Sequence, residues 1–176
     1  MMKSIRSQFF ALSFATISIG LSGSIIPALA APAPLFQTVI EDIKDQLPTG
    51  STLRLPAYLP DSPIQLFPYV KKDPMGFGVY LSTQSGCQLS SCTVGAAGVI
   101  TGELAWPPKG DDRSPVSLMQ NVEGYYLKTG NKASNKAHYV YWQQDAQIYV
   151  VGALDIAASS EDVIAIAKSM VLEQPL

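Results

Sequence analysis

Apolar residues recur at helical spacing early in the chain: Leu35, Phe36, Val39, Ile40, Ile43 and Leu47, with Glu41, Asp42, Lys44 and Asp45 between them. That spacing puts one apolar stripe on a helix. Pro34 suits a first turn, and Pro48 with Gly50 ends it. The pattern predicts an amphipathic helix over 35–47 lying on something apolar. The period then shortens. Leu53 to Pro60 carries Pro56 and Pro60, which exclude a central strand and leave an edge strand or extended segment. Ile64 to Val70 is a short strand weakened by Pro68. Gly76 to Ser82 alternates Phe77, Val79 and Leu81 with smaller residues and reads as a strand. Thr93 to Thr101, small and glycine-rich, reads as its return. Ala105 to Arg113 is a loop, Val116–Met119 and Tyr125–Lys128 are short strands, and Thr129 to Lys136 is a polar loop.

The clearest hairpin comes late. Ala137–Gln143 and Ile148–Leu154 are aromatic and β-branched, with Asp145-Ala146 as the turn. Ser159 followed three residues on by Asp162 is a capping pattern. Val163, Ile164, Ala167, Met170 and Val171 then supply a helical stripe that Gln174-Pro175 stops. Helix, a block of strands, then helix predicts an α+β fold. It consists of an N-terminal helix, an antiparallel sheet of five to seven strands, and a C-terminal helix packed on one face.

A two-residue turn sets Trp142 opposite Tyr149. His138, Val140, Trp142, Tyr149, Val151 and Ala153 then share one face of the hairpin, and Ala137, Tyr139, Tyr141, Val150 and Leu154 share the other. Both faces are apolar, whereas a water-facing antiparallel sheet usually alternates. A one-residue slip would exchange the faces but leave both apolar. Helices can cover one of them. Proline-rich loops, a ligand or a partner must cover the other. Tyrosine and tryptophan join an apolar body to a polar tip and suit such a surface. The candidate ligand-binding residues are therefore Tyr139, Tyr141, Trp142, Tyr149 and, from the loop, Trp106.

The start of the chain changes the compartment. Lys3 and Arg6 precede an apolar run from Phe9 to Ile26, which ends in Ala28-Leu29-Ala30. A basic start, an apolar middle and a small-x-small end make a secretory signal cut between Ala30 and Ala31. The run is diluted by serine and glycine and broken by Pro27, so an uncleaved anchor is disfavoured, and no membrane span remains after cleavage. Residues 31–176 form one domain, with 31–34 as a flexible N-terminus. The expected location is exported, periplasmic or secreted.

The whole chain has net charge −2, and both leader cations lie before the cut, so the mature part is more acidic. With its lysines scattered it lacks the basic patch that nucleic acid needs. Cys87 and Cys92, the two cysteines, both fall in the exported part and can pair only with each other. A disulfide across the turn between two strands is expected, since zinc needs four ligands and a thioredoxin-type motif needs C-x-x-C. No metal or cofactor is indicated.

Catalytic signatures are thin. His138 is the one histidine. It would need Asp145 or Asp155 and a nucleophile in space, and no G-x-S-x-G occurs. A glycoside hydrolase would need paired carboxylates, for which Glu103, Asp111 and Asp112 are the candidates, Glu103 lying near Trp106. The primary expectation is a non-catalytic exported module that binds a partner protein or an apolar ligand. An envelope-polymer hydrolase and a structural envelope component are the alternatives.

The closing stretch Tyr139-Val140-Tyr141-Trp142, Asp145, Tyr149-Val150-Val151 and Ile164-Ala165-Ile166-Ala167-Lys168-Ser169-Met170, with Gly124-Tyr125-Tyr126 before it, resembles the end of small exported bacterial domains of unknown function. The resemblance covers the last third. Some of those domains are similar to lipoprotein-carrier-like and anti-sigma-factor regulatory domains, in which a curved sheet holds an apolar cavity. It implies a carrier or regulatory role through the sheet, with an apolar ligand or envelope protein as partner, and carries over no site residue.

Overall fold

The computed structural model describes residues 31–110, 112–130 and 136–176. The expected signal, its cleavage at Ala30 and Asp111 therefore lie at least partly outside the described residues. Seven strands form one antiparallel sheet: β1 Phe67–Asp73, β2 Gly76–Ser82, β3 Thr93–Ile100, β4 Arg113–Met119, β5 Val122–Thr129, β6 Ala137–Gln144 and β7 Gln147–Leu154. Their spatial order is β1-β2-β3-β7-β6-β5-β4. Two meanders, β1–β3 and β4–β7, thus join edge to edge at β3 and β7.

The first helical segment differs from the expected single helix. It is a 3-10 turn, Pro34–Val39, followed by helix α1, Ile40–Gln46. Val39 at φ −121°, ψ 3° separates them. The side chains explain the division. Phe36 and Val39 are three apart and fit the 3-10 turn, Val39 and Ile43 are four apart and fit the α-helix, and all three are buried. Within the segment expected to be flexible, Ala33 is buried and donates its N–H to the Pro56 carbonyl. Helix α2, Ser160–Leu172, begins as the sequence indicates, with Ser159 and Asp162 forming a reciprocal capping box. Burial of Val163, Ile166, Ala167, Met170 and Val171 presses it against β4, β6 and β7.

The core lies between this helical layer and one face of the sheet. Trp142 and Tyr149 stack there with centroids 5.5 Å apart. Phe77, Val79, Val99, Val140, Leu53 and Leu55 surround them, all fully buried. Leu53 and Leu55 come from the proline-bounded segment, which forms no strand and runs extended along the helical layer. Its Arg54 is buried, its guanidinium donating to Asp145 Oδ2 at 2.6 Å and to the main-chain oxygen of Glu173. No helix among the described residues is long and apolar enough to cross a membrane.

Candidate functional site

The register orders the other face of the sheet into rows. One row runs Tyr69, Tyr80, Ala96, Gly152, Tyr139 and Leu127 across β1, β2, β3, β7, β6 and β5. The next runs Lys71, Gly78, Gly98, Val150, Tyr141 and Tyr125. Small residues on β3 and β7 form a floor, with tyrosines on β2 and β6 to either side. Strands lie about 4.8 Å apart, so the tyrosine-bearing strands are about 14 Å apart. The result is a groove of about 320 Å³, lined by Tyr80, Ala96, Tyr139, Tyr141, Val150 and Gly152 among others. That is the size of a small-ligand site. A second hollow of about 220 Å³ adjoins it at Tyr80 and Thr93, rimmed by Tyr69, Lys71, Gln88 and Ser90.

The walls are positioned by particular contacts. The Tyr139 ring lies over Gly152: a Cβ on that glycine would fall 2.3 Å from Tyr139 Cδ1. Tyr69 and Tyr80 stack with centroids 5.6 Å apart. Tyr69 Oη meets Thr93 Oγ1 at 2.7 Å, and Tyr80 Oη donates to Asp73 Oδ2 at 2.8 Å. Burial, and then the Asp73 hydrogen bond, push the Tyr80 hydroxyl well above the usual phenol range, so it stays a neutral donor. Burial, and then Tyr139, raise Tyr141 in the same direction. Gln88, Ser90 and Thr93 reach the rim from the β2–β3 turn, where Cys87 and Cys92 sit at disulfide distance, 2.07 Å.

The connection from β3 to the far-edge strand β4 packs on this same face at β5. Trp106 meets Tyr125 edge to face with centroids 5.5 Å apart, Gly110 abuts Leu127, and Arg113 lies 5.1 Å from the Tyr125 ring centroid while donating to the Pro108 carbonyl. Proline-rich chain thus covers the β5 side, and among the described residues nothing covers the groove over β2, β3, β7 and β6.

The five aromatic residues named from the sequence separate. Tyr139 and Tyr141 wall the groove. Trp142 and Tyr149 lie on the opposite face, fully buried in the core, where no ligand reaches them. Trp106 is spent on Tyr125. The groove instead uses Tyr69 and Tyr80, which the sequence reading did not single out. Their alternation in β1 and β2 was visible, but their alignment with Tyr139 depends on the β3–β7 pairing, which joins segments distant in sequence.

His138 does find Asp155, with Nε2 2.6 Å from Oδ1, and its Nδ1 lies 2.6 Å from Tyr126 Oη. Asp145 pairs with Arg54 instead. The hydrogen bond from His138, then that from Lys136, hold the Asp155 carboxyl below the usual carboxylate range. An ionised Asp155 accepts from Nε2–H, and Nδ1 is engaged by the Tyr126 hydroxyl. Both nitrogens are engaged and the ring is only 4% exposed, leaving no room for a substrate beside it. His138 also faces the helical layer, whereas Glu103 and Asp112 belong to the connection that packs on the other face. Among the described residues, His138 therefore lies on the opposite face of the sheet from the connection that carries Glu103 and Asp112. Among the described residues no cluster of three or more His, Cys, Asp or Glu side chains could hold a metal.

A cavity within the fold, of the kind a lipid carrier has, is small here. The space between the Pro56–Leu66 segment and the sheet measures about 40 Å³, enough for a water or two. No family model, no curated protein and no solved structure matches the chain.

Proposed function

We propose that this chain is an exported, non-catalytic binding module whose ligand lies in the tyrosine-walled groove on the helix-free face of the sheet. The observation that carries the reading is the row Tyr80, Ala96, Gly152 and Tyr139, in which the Tyr139 ring rests on Gly152 and the small Ala96 leaves a hollow between that ring and Tyr80. Sheet faces normally fill such positions or make them polar. Here the β5 side is closed by the protein's own loop and the remainder is left hollow, at a volume suited to a ligand rather than to a broad protein interface. The signal-like start and the paired cysteines support export.

Native mass spectrometry of the protein, purified without denaturant from the exported fraction of its host, tests the reading. A bound mass that leaves on denaturation and is lost in Tyr139→Ala supports it. Retention of that mass by Tyr139→Ala, or a bare chain, counts against it. The same spectrum reads the cleavage site: a chain beginning at Ala31 agrees with export, and one retaining residues 1–30 contradicts processing.

A further inference from the structure

We infer that the groove takes a neutral glycan, a chain of uncharged sugar rings; this deepens the binding reading above and rests on it. The argument begins with charge. The groove's own lining is uncharged; on neighbouring β1, Lys71 is a single exposed cation at the rim of the adjoining hollow, and the Asp73 carboxylate is engaged. Lys71 Nζ sits 5.6 Å from the Tyr80 centroid, and Asp73 accepts from the Met75 and Gly76 amides and the Tyr80 hydroxyl. One lone rim cation is no patch for a polyanion, and a polycation meets no free carboxylate in the lining.

Main-chain chemistry comes next. Strands β2, β3, β7 and β6 are each paired on both sides, so the floor has no free N–H or C=O row. An extended peptide, which draws its affinity from such bonds, would leave its own backbone unpaired. An acyl chain would gain little, because the groove opens to water and its walls end in hydroxyls.

Sugar rings match what is present. Their apolar C–H faces stack on flat aromatic rings, and their hydroxyls both donate and accept. Tyr139 lies flat over Gly152, and Tyr80 lies flat against Tyr69. Of the rim groups, Gln88 and Ser90 donate and accept, while the Tyr69 and Thr93 hydroxyls, bonded to each other, offer acceptor positions. The tilted neighbours Tyr139 and Tyr141, 6.2 Å between centroids, present successive platforms along β6.

The test is calorimetric titration of the disulfide-intact protein with cellohexaose, chitohexaose, maltohexaose and xylohexaose, beside dextran sulfate, decaproline and laurate. The inference expects binding of at least one neutral hexasaccharide, unchanged from low to high salt. Tyr139→Ala should weaken it about tenfold or more, roughly the 1.4 kcal/mol of one lost stacking contact, while Tyr139→Phe, which keeps the ring, retains most of it. Failure of every neutral hexasaccharide overturns the glycan assignment, as does binding that Tyr139→Ala leaves untouched. If decaproline or laurate binds instead and Tyr139→Ala abolishes it, the glycan falls while the binding module stands. If no probe binds and the natively purified chain is bare, both fall.

Discussion

Substitution of Gly152 by alanine should change sign with its neighbour. Alone, the change pits two effects against each other. Alanine is better than glycine in a strand interior by about 0.5–1 kcal/mol, because it has less backbone freedom to lose. Against this, the new methyl would sit 2.3 and 2.6 Å from Tyr139 Cδ1 and Cε1. Carbon atoms prefer about 3.5–4 Å, so the ring must withdraw by roughly an ångström or more. A six-carbon ring lifted off the sheet forfeits on the order of ten contacts at 0.1–0.2 kcal/mol each, about 1–2 kcal/mol. Gly152→Ala should therefore destabilise the protein by about 0.5–1 kcal/mol. In a Tyr139→Ala background the ring is gone and only the His138 carbonyl oxygen, 3.1 Å away, still crowds the methyl and offsets part of the gain, so the same change should stabilise by up to about 0.5 kcal/mol. Urea denaturation of the four proteins of this double-mutant cycle measures both numbers and their coupling. If Gly152→Ala stabilises in both backgrounds, Tyr139 does not lie on the glycine and the groove wall is wrongly placed.

Three further outcomes follow from other parts of the fold. Asp145 and Ala146 form the β6–β7 turn at φ 52° and 61°, a left-handed conformation that suits glycine, so Ala146→Gly should raise stability by about 1 kcal/mol in the same denaturation assay. Trp142→Ala should cost about 3–5 kcal/mol, against about 1–2 kcal/mol for the partly buried Tyr141→Ala, so an equal loss at both would contradict the two-faced sheet. Glu173 is buried with Oε1 unpartnered, and burial raises its carboxyl above the usual range, with Arg54 opposing. The folded state then holds the proton more tightly than the unfolded chain. The stability from this group is full below the ordinary glutamate pKa of about 4.3 and is lost as pH rises through the folded value. Glu173→Gln should remove that pH-dependent loss, read as a flatter dependence of the denaturation midpoint from acid to neutral pH.

Much of the fold was legible because it is local. The Asp145-Ala146 turn fixes the β6–β7 register, so Trp142 opposite Tyr149 could be written from the sequence and is observed. The capping of α2 by Ser159 and Asp162 needs only three residues of spacing. Gly76–Ser82 reads as a strand from alternation and is one. What could not be read is what joins distant segments. The β3–β7 pairing completes the sheet, yet Gly95 to Val99 carries no side-chain signal for its partner, being small on both faces. That pairing decides which tyrosines share a row, so Tyr69 and Tyr80 escaped notice while Trp142 and Tyr149 were grouped with the site. The first helix failed differently: its apolar spacing mixes three and four, and the backbone follows each in turn.

The central claim is that binding takes place on the helix-free face, and the chain's eight tyrosines report on both sides of the sheet. Ring-labelled tyrosine NMR, with and without the small-molecule and glycan extract of the exported fraction, tests it most directly. The account predicts that Tyr80, Tyr139 and Tyr141 resonances move while core Tyr149 and the His138-bonded Tyr126 stay in place. Movement of Tyr149 or Tyr126 with the groove tyrosines unchanged would contradict it.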